Sequence, residues 1–132
     1  MPSKSTGIAG SVAIVSDNAD TLDGLQQYLA AAGVACRSTR ILEDAGATPR
    51  AASVLILFPD DFPPGQVLEM LRTLRQTRPR VLTLLVTREP GRFREAAAPD
   101  GRSRPPIVLP KPVFGWAILD AIRVCATDKA SP

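Results

Sequence analysis

The side chains of this 132-residue sequence that suit acid, metal or phosphoryl chemistry stand directly behind short apolar runs. SVAIV is followed by Ser16, Asp17 and Asn18. VLILF is followed by Pro59, Asp60 and Asp61, VLTLLV by Thr87, and IVL by Pro110, Lys111 and Pro112. Carboxylates, a hydroxyl and an ammonium brought to one place would suit a phosphoryl group held with a divalent cation. Mg²⁺ takes oxygen ligands from one or two carboxylates plus water, and threonine and lysine bind phosphoryl oxygens. Histidine is absent, which excludes histidine-based triads and histidine-ligated metals. The two cysteines, Cys36 and Cys125, lack CxxC spacing. They read as buried free thiols, as suits a reducing cytoplasm.

For these residues to meet, the apolar runs must lie side by side and point the same way. Runs this short, rich in β-branched residues and leucine, read as strands buried on both faces of a parallel sheet. Between them fall helical patterns. Leu22, Leu25, Tyr28, Leu29 and Ala32 share a face from about Asp20 to Ala32, with Gly33 as the stop. Val67, Met70, Leu71 and Leu74 do so from about Gln66 to Thr77. Phe114, Ala117, Ile118, Ala121, Ile122 and Cys125 do so from about Val113 to Thr127. A short second strand is expected at Val34–Arg37, a weak helix at Ile41–Ala47, and a short helix at Phe93–Ala98 in a segment expected to be mobile. Arg72, Arg75, Arg78 and Arg80 read as solvated charge. Phe114 and Trp116 read as core or helix–sheet contacts.

The alternation predicts an α/β fold, a doubly wound five-stranded parallel sheet with about five helices. Residues 11–128 would form the domain, with a loose tail at 1–10 and a short one at 129–132. The apolar content of 45% and charged content of 22% fit one globular domain. No apolar run approaches the length needed to span a membrane, and the N-terminal ten residues lack the core of a signal peptide. The net charge of +3 and an aromatic content of 5%, with dispersed basic residues, do not fit a nucleic-acid module.

In order along the chain, VAIVSDNAD, the acids after VLILF, Thr87 and VLPKPVFGWAILDAI resemble the receiver domain of two-component response regulators. The resemblance covers nearly the whole chain and implies a flavodoxin-like sheet of order 2-1-3-4-5. It implies that an acidic pair after the first strand binds Mg²⁺ and that an aspartate ending the third strand accepts phosphate from a histidine kinase. A threonine ends the fourth strand, and a Lys-Pro step, often cis, ends the fifth. Asp17 matches the second acid of the pair, Thr87 the hydroxyl, and Lys111-Pro112 the Lys-Pro step. Thr87 and Lys111 are then the phosphoryl contacts, and Asp17 with Asp60 a weak metal site.

The departures from that pattern point to an atypical receiver. Ser16 replaces the first acid. Gap-free alignment of Pro63 and LEMLRTLR puts Pro59 at the acceptor position, with Asp60 one residue later. Arg88 follows the threonine where a small residue is usual, and Val108 stands where an aromatic is usual. Asp60 is either the acceptor and metal ligand or a solvated loop acid or helix-start charge ahead of Gln66, and Asp61 reads as the latter kind. Asp17 is either a remnant ligand or a helix cap. Lys111 pairs with Asp17 or Asp60, and Thr87 is alternatively a hydroxyl bonded to backbone.

Arg88, Arg92, Arg94, Arg102 and Arg104 surround the fourth helix and fifth strand. They form either a solvated surface or, with the last helix, a face for a sensor kinase or downstream signalling protein. The expected role is a non-enzymatic signalling module acting through protein contacts in the cytoplasm. The alternatives are a working acceptor at Asp60 with Mg²⁺ and, remotely, an α/β nucleotide-binding enzyme. SDNADT carries no glycine and two acids, which disfavours a phosphate loop. No output segment follows Pro132, so a stand-alone receiver and a receiver cut from a longer chain both stay open.

Overall fold

A computed structural model describes residues 11–43 and 52–130. The strands are β1 (Ser11–Val15), β2 (Cys36–Thr39), β3 (Ala52–Leu57), β4 (Leu82–Thr87) and β5 (Ile107–Pro110). The helices are α1 (Ala19–Ala31), α2 (Pro64–Thr77) and α3 (Gly115–Ala130). Short 3₁₀ turns occupy Pro59–Asp61 and Pro90–Phe93. All strand pairs are parallel and the order is β2-β1-β3-β4-β5. This is the doubly wound, flavodoxin-like α/β fold.

The period-2 alternation of β3 separates two cores. Val54, Ile56 and Phe58 face a cluster that includes Leu22, Leu25 and Leu29 of α1 and Ile118, Leu119 and Ile122 of α3. Leu55 and Leu57 face the other, with Val67, Leu71 and Leu74 of α2. Burial on both faces is why these strands read as continuous apolar runs. Each fully buried leucine or isoleucine contributes about 1.5–3 kcal/mol over its exposed state.

Helix α1 begins at Asn18, whose side-chain oxygen accepts from the Thr21 amide at 3.0 Å. It ends as the sequence indicates, with Gly33 at φ 87°. There the Val34 amide donates to Leu29 O at 2.9 Å, an arrangement that needs the left-handed backbone glycine tolerates.

Several expectations are corrected. The second strand is displaced to Cys36–Thr39, and Cys36 is only half-buried, although burial still pushes its thiol pKa up. Tyr28 lies at the margin of the α1 face and is exposed. Phe114 and Trp116 are 64% and 62% exposed. They precede and open α3, stacked with ring centroids 6.3 Å apart. Of the expected face, Ile118 and Ile122 are buried and Ala121 packs partly buried against the same core, and Leu119 joins them among the described side chains of α3. The weak helix at Ile41–Ala47 falls largely outside the described residues, as does the side chain of Cys125.

The expected helix at Phe93–Ala98 is a 3₁₀ turn followed by hydrogen-bonded turns. A short segment fenced by Pro90-Gly91 and Pro99 cannot recover the cost of helix nucleation. It is nonetheless anchored. Phe93 is fully buried in the α2-side core.

Arg75, expected to be solvated, turns back from α2 with its side chain only 15% exposed. It donates to Ser103 Oγ at 2.8 Å and Ala96 O at 2.7 Å, and pairs with Asp100 at 3.4 Å. The Ser103 and Arg102 amides, helped by the Ser103 hydroxyl and Arg75, outweigh desolvation and hold the Asp100 carboxyl far below the ordinary carboxylate range. Charged hydrogen bonds of this kind are worth about 1.5–3 kcal/mol. Arg75→Met, which keeps the stem, is therefore expected to cost about 2 kcal/mol in urea unfolding. It should also speed amide exchange selectively across residues 94–104. Unchanged exchange there would show that Phe93 alone anchors the segment.

Candidate functional site at the strand tips

Strand alternation ends at Phe58, whose amide still donates to Val15 O at 3.0 Å. Pro59 then removes the next backbone donor and fixes φ near −65°, which suits the first position of a helical turn. The 3₁₀ turn that follows places successive side chains about 120° apart, from its roughly three residues per turn. Asp60 and Asp61 therefore diverge. β3 lies between β1 and β4, and each acid serves one neighbour.

Asp60 turns toward β4 and β5. Its Oδ1 accepts from Thr87 Oγ1 at 2.5 Å and its Oδ2 from the Arg88 amide at 2.8 Å. Lys111 Nζ lies 3.7 Å from Oδ2, and Arg88 Nε 3.9 Å. Although its backbone faces solvent, the Asp60 side chain is only 17% exposed. Burial alone would raise its carboxyl pKa. The Thr87 hydroxyl, the Arg88 amide and the charges of Lys111 and Arg88 outweigh burial and hold it below the ordinary carboxylate range.

Lys111 arrives here because β5 pairs Thr87 with Pro110 and the Lys111 amide donates to Thr87 O at 2.9 Å. Its ammonium also lies 5.7 Å from the centroid of the Phe58 ring, a cation–π contact. The Lys111–Pro112 bond is cis. Thr87 is fully buried and also accepts from the Glu89 amide at 3.0 Å, so its hydroxyl serves both backbone and Asp60.

Asp61 turns toward β1. Its Oδ2 accepts from Ser16 Oγ at 2.5 Å and from the Asp17 amide at 3.0 Å. It lies in the helical turn, as a helix-start charge would, and is hydrogen-bonded rather than a solvated loop acid. Ser16 is fully buried and in turn accepts from the Asn18 amide at 3.1 Å, so the start of α1 hangs on this contact. The signal for Asp61 lay in the sequence. A proline followed by two acids marks a helical start rather than a continued strand.

Asp17 neither caps α1, which Asn18 does, nor joins Asp60. It pairs with Arg40 at 3.3 Å, both side chains being exposed. The two carboxylates expected to share a cation are thus committed to different partners. Among the described residues no group of three acidic, cysteine or histidine side chains converges as metal ligands do. A cation at Asp60 would also sit against Lys111. With Asp17 turned to Arg40, Asp60 is left of the expected pair, which leaves at most a weak Mg²⁺ site of one carboxylate plus water.

Solved structures share this architecture. A "transiently phosphorylated switch" of bacterial signal transduction aligns over 93% of this chain and 98% of its own, with a TM-score of 0.72 and 19% identity. The response regulator DrrB of Thermotoga maritima aligns over 92% of this chain at a TM-score of 0.70 and 20% identity, this chain spanning 54% of that longer protein. An orphan response regulator of H. pylori aligns over 86% of this chain and 94% of its own, at 0.64 and 15%. The chain has the receiver fold. No protein-family model and no curated protein matches the sequence.

Within this receiver fold, Thr87, Lys111 and Asp60 meet, and Ser16 meets Asp61, while Asp17 stands apart with Arg40. Ser16→Ala strands a carboxylate whose hydroxyl donor is lost. It is expected to cost about 1.5–3 kcal/mol in denaturant unfolding. Ser16→Asp should cost more, because it sets a like charge against Asp61.

The Asp60 network has a definite pH signature. A carboxyl whose folded pKa lies below its unfolded value adds stability above the unfolded value, and loses it as pH falls through the folded one. The stability difference between wild type and Asp60→Asn should therefore shrink as pH drops below about 4. Lys111→Ala should raise the Asp60 carboxyl pKa in an NMR titration. Identical titrations would break the proposed pairing.

Proposed function

We propose that this chain is an atypical receiver module of two-component signal transduction. On this reading it signals through protein contacts without ordinary aspartyl phosphorylation, and its partners are a sensor kinase or a downstream signalling protein in the cytoplasm. It is a non-enzymatic module.

The observation that carries the proposal is the occupancy of the Asp60 carboxylate. An anion at these strand tips is met by the Thr87 hydroxyl, the Arg88 amide and the Lys111 ammonium, the donors a phosphoryl group would use. Asp60 already supplies that anion from within the chain. A carboxylate that accepts several hydrogen bonds and is stabilised in its charged form is a poor nucleophile. Pro59, at the aligned acceptor position, has none to offer. Arg88 reaches toward Asp60 where a small residue would leave room. Because the Lys111 ammonium already faces Asp60, the positive charge at this rim is partly committed before a phosphoryl group could arrive.

Arg88, Arg92 and Arg94 are exposed, and with Arg102, Arg104 and the exposed Phe114–Trp116 stack they supply the partner-facing surface. The expected fourth helix of this face is only turns, so the contact would be made by loops, β5 and the start of α3.

A second reading is favoured by one observation, the position of Asp60 between Thr87 and Lys111. It makes Asp60 a working acceptor. Beryllofluoride with Mg²⁺, followed by NMR, separates the two. The proposed reading expects no clustered shifts at Asp60, Thr87 and Lys111, and no label from a phosphodonor. Saturable shifts there, with label lost in Asp60→Asn, would install the second reading. Label retained in that variant would move the acceptor to Asp61.

A further inference from the structure

Beside the strand tips a cleft of about 500 Å³ opens between α1 and the start of α3. Its walls are Leu25 and Tyr28 of α1, Phe58 and Val86 of the sheet, and Ile118 of α3, with Lys111 among them. Volumes of this size and apolar walls with few polar groups are those of small-molecule sites. Two glycines shape it. Gly115 lines the cleft, and a Cβ there would lie 2.9 Å from the Tyr28 ring, so only glycine lets that ring lie across the start of α3. Gly24 also lines it, and a Cβ there meets no atom within 4 Å.

The polar chemistry of the cleft selects the ligand. Lys111 carries three donors. Its contacts among the described residues are the 3.7 Å ion pair with Asp60 and the Phe58 ring, so it keeps donors for a second anion. Asp20 also borders the cleft. That acid disfavours a ligand with more than one negative charge, such as a phosphate ester. We infer that this cleft binds a small monocarboxylate with a compact aromatic or alicyclic body, the ring between Tyr28, Leu25 and Ile118 and the carboxylate on Lys111. The inference does not depend on whether Asp60 is ever phosphorylated.

The test uses the full chain and amide NMR titrations with phenylacetate and cyclohexanecarboxylate, and with phenylacetamide and phenethylamine as uncharged and cationic counterparts. The carboxylates are expected to shift Leu25, Tyr28, Phe58 and Ile118 saturably, with phenylacetamide at least about tenfold weaker. Gly24→Leu adds an apolar side chain to the cleft wall, its Cβ meeting no atom within 4 Å, and improves helix propensity, so it should fold and lose the binding. Lys111→Met should weaken carboxylate binding about tenfold or more. The inference is overturned if neither carboxylate shifts these residues, or if the amide or amine binds as well. Undiminished binding in Gly24→Leu or Lys111→Met would overturn it equally.

Discussion

The site depends on a single constraint, the end of β3 as a 3₁₀ turn rather than as further strand. A strand would send adjacent side chains to opposite faces of the sheet. The turn instead fans Asp60 and Asp61 across the sheet edge, one to each flanking strand. Asp60 ties β3 to β4 and β5 through Thr87, Arg88 and Lys111. Asp61 ties it to β1 through Ser16 and the Asp17 amide. Pro59 makes this possible, since it withholds the donor a continued ladder would need and is pre-shaped for the turn.

The same geometry explains the substitutions around it. A buried acid at position 16 would face Asp61, and like charges at close range both resist ionisation. Serine removes that conflict and donates instead. The acids of this edge are thus spent on neighbouring strands rather than gathered around a cation. Lys111 likewise serves as a fixed counter-charge for Asp60. The edge reads as a closed hydrogen-bond network, with few groups left to take up a new ligand except on the Lys111 side, where the apolar cleft begins.

Surface charge was the less legible part. Arg75 belongs to a run of arginines with an outward-facing pattern, yet its guanidinium finds Ser103, Ala96 O and Asp100. Nothing local distinguishes it from Arg72, because its partners lie in a loop whose path only the folded chain fixes. Phe114 and Trp116 mislead in the opposite sense. Their apolar character suits a core, but Leu119 rather than either aromatic fills the place against the sheet.

The sequence by itself determined the strand runs, their parallel arrangement, the amphipathic faces of α1 and α2, the Gly33 stop, and the meeting of Thr87 and Lys111 at one rim. These follow from periodicity and from residue chemistry that acts over a few neighbours. Only the tertiary structure decided which acid faces which strand, that Asp17 goes to Arg40 and Asp61 to Ser16, and that Asp60 is already hydrogen-bonded. The reason is that a side chain's direction after the last strand residue depends on the backbone turn there. That turn is stabilised by hydrogen bonds to residues about 25 to 45 positions away, a distance over which local pattern carries no information.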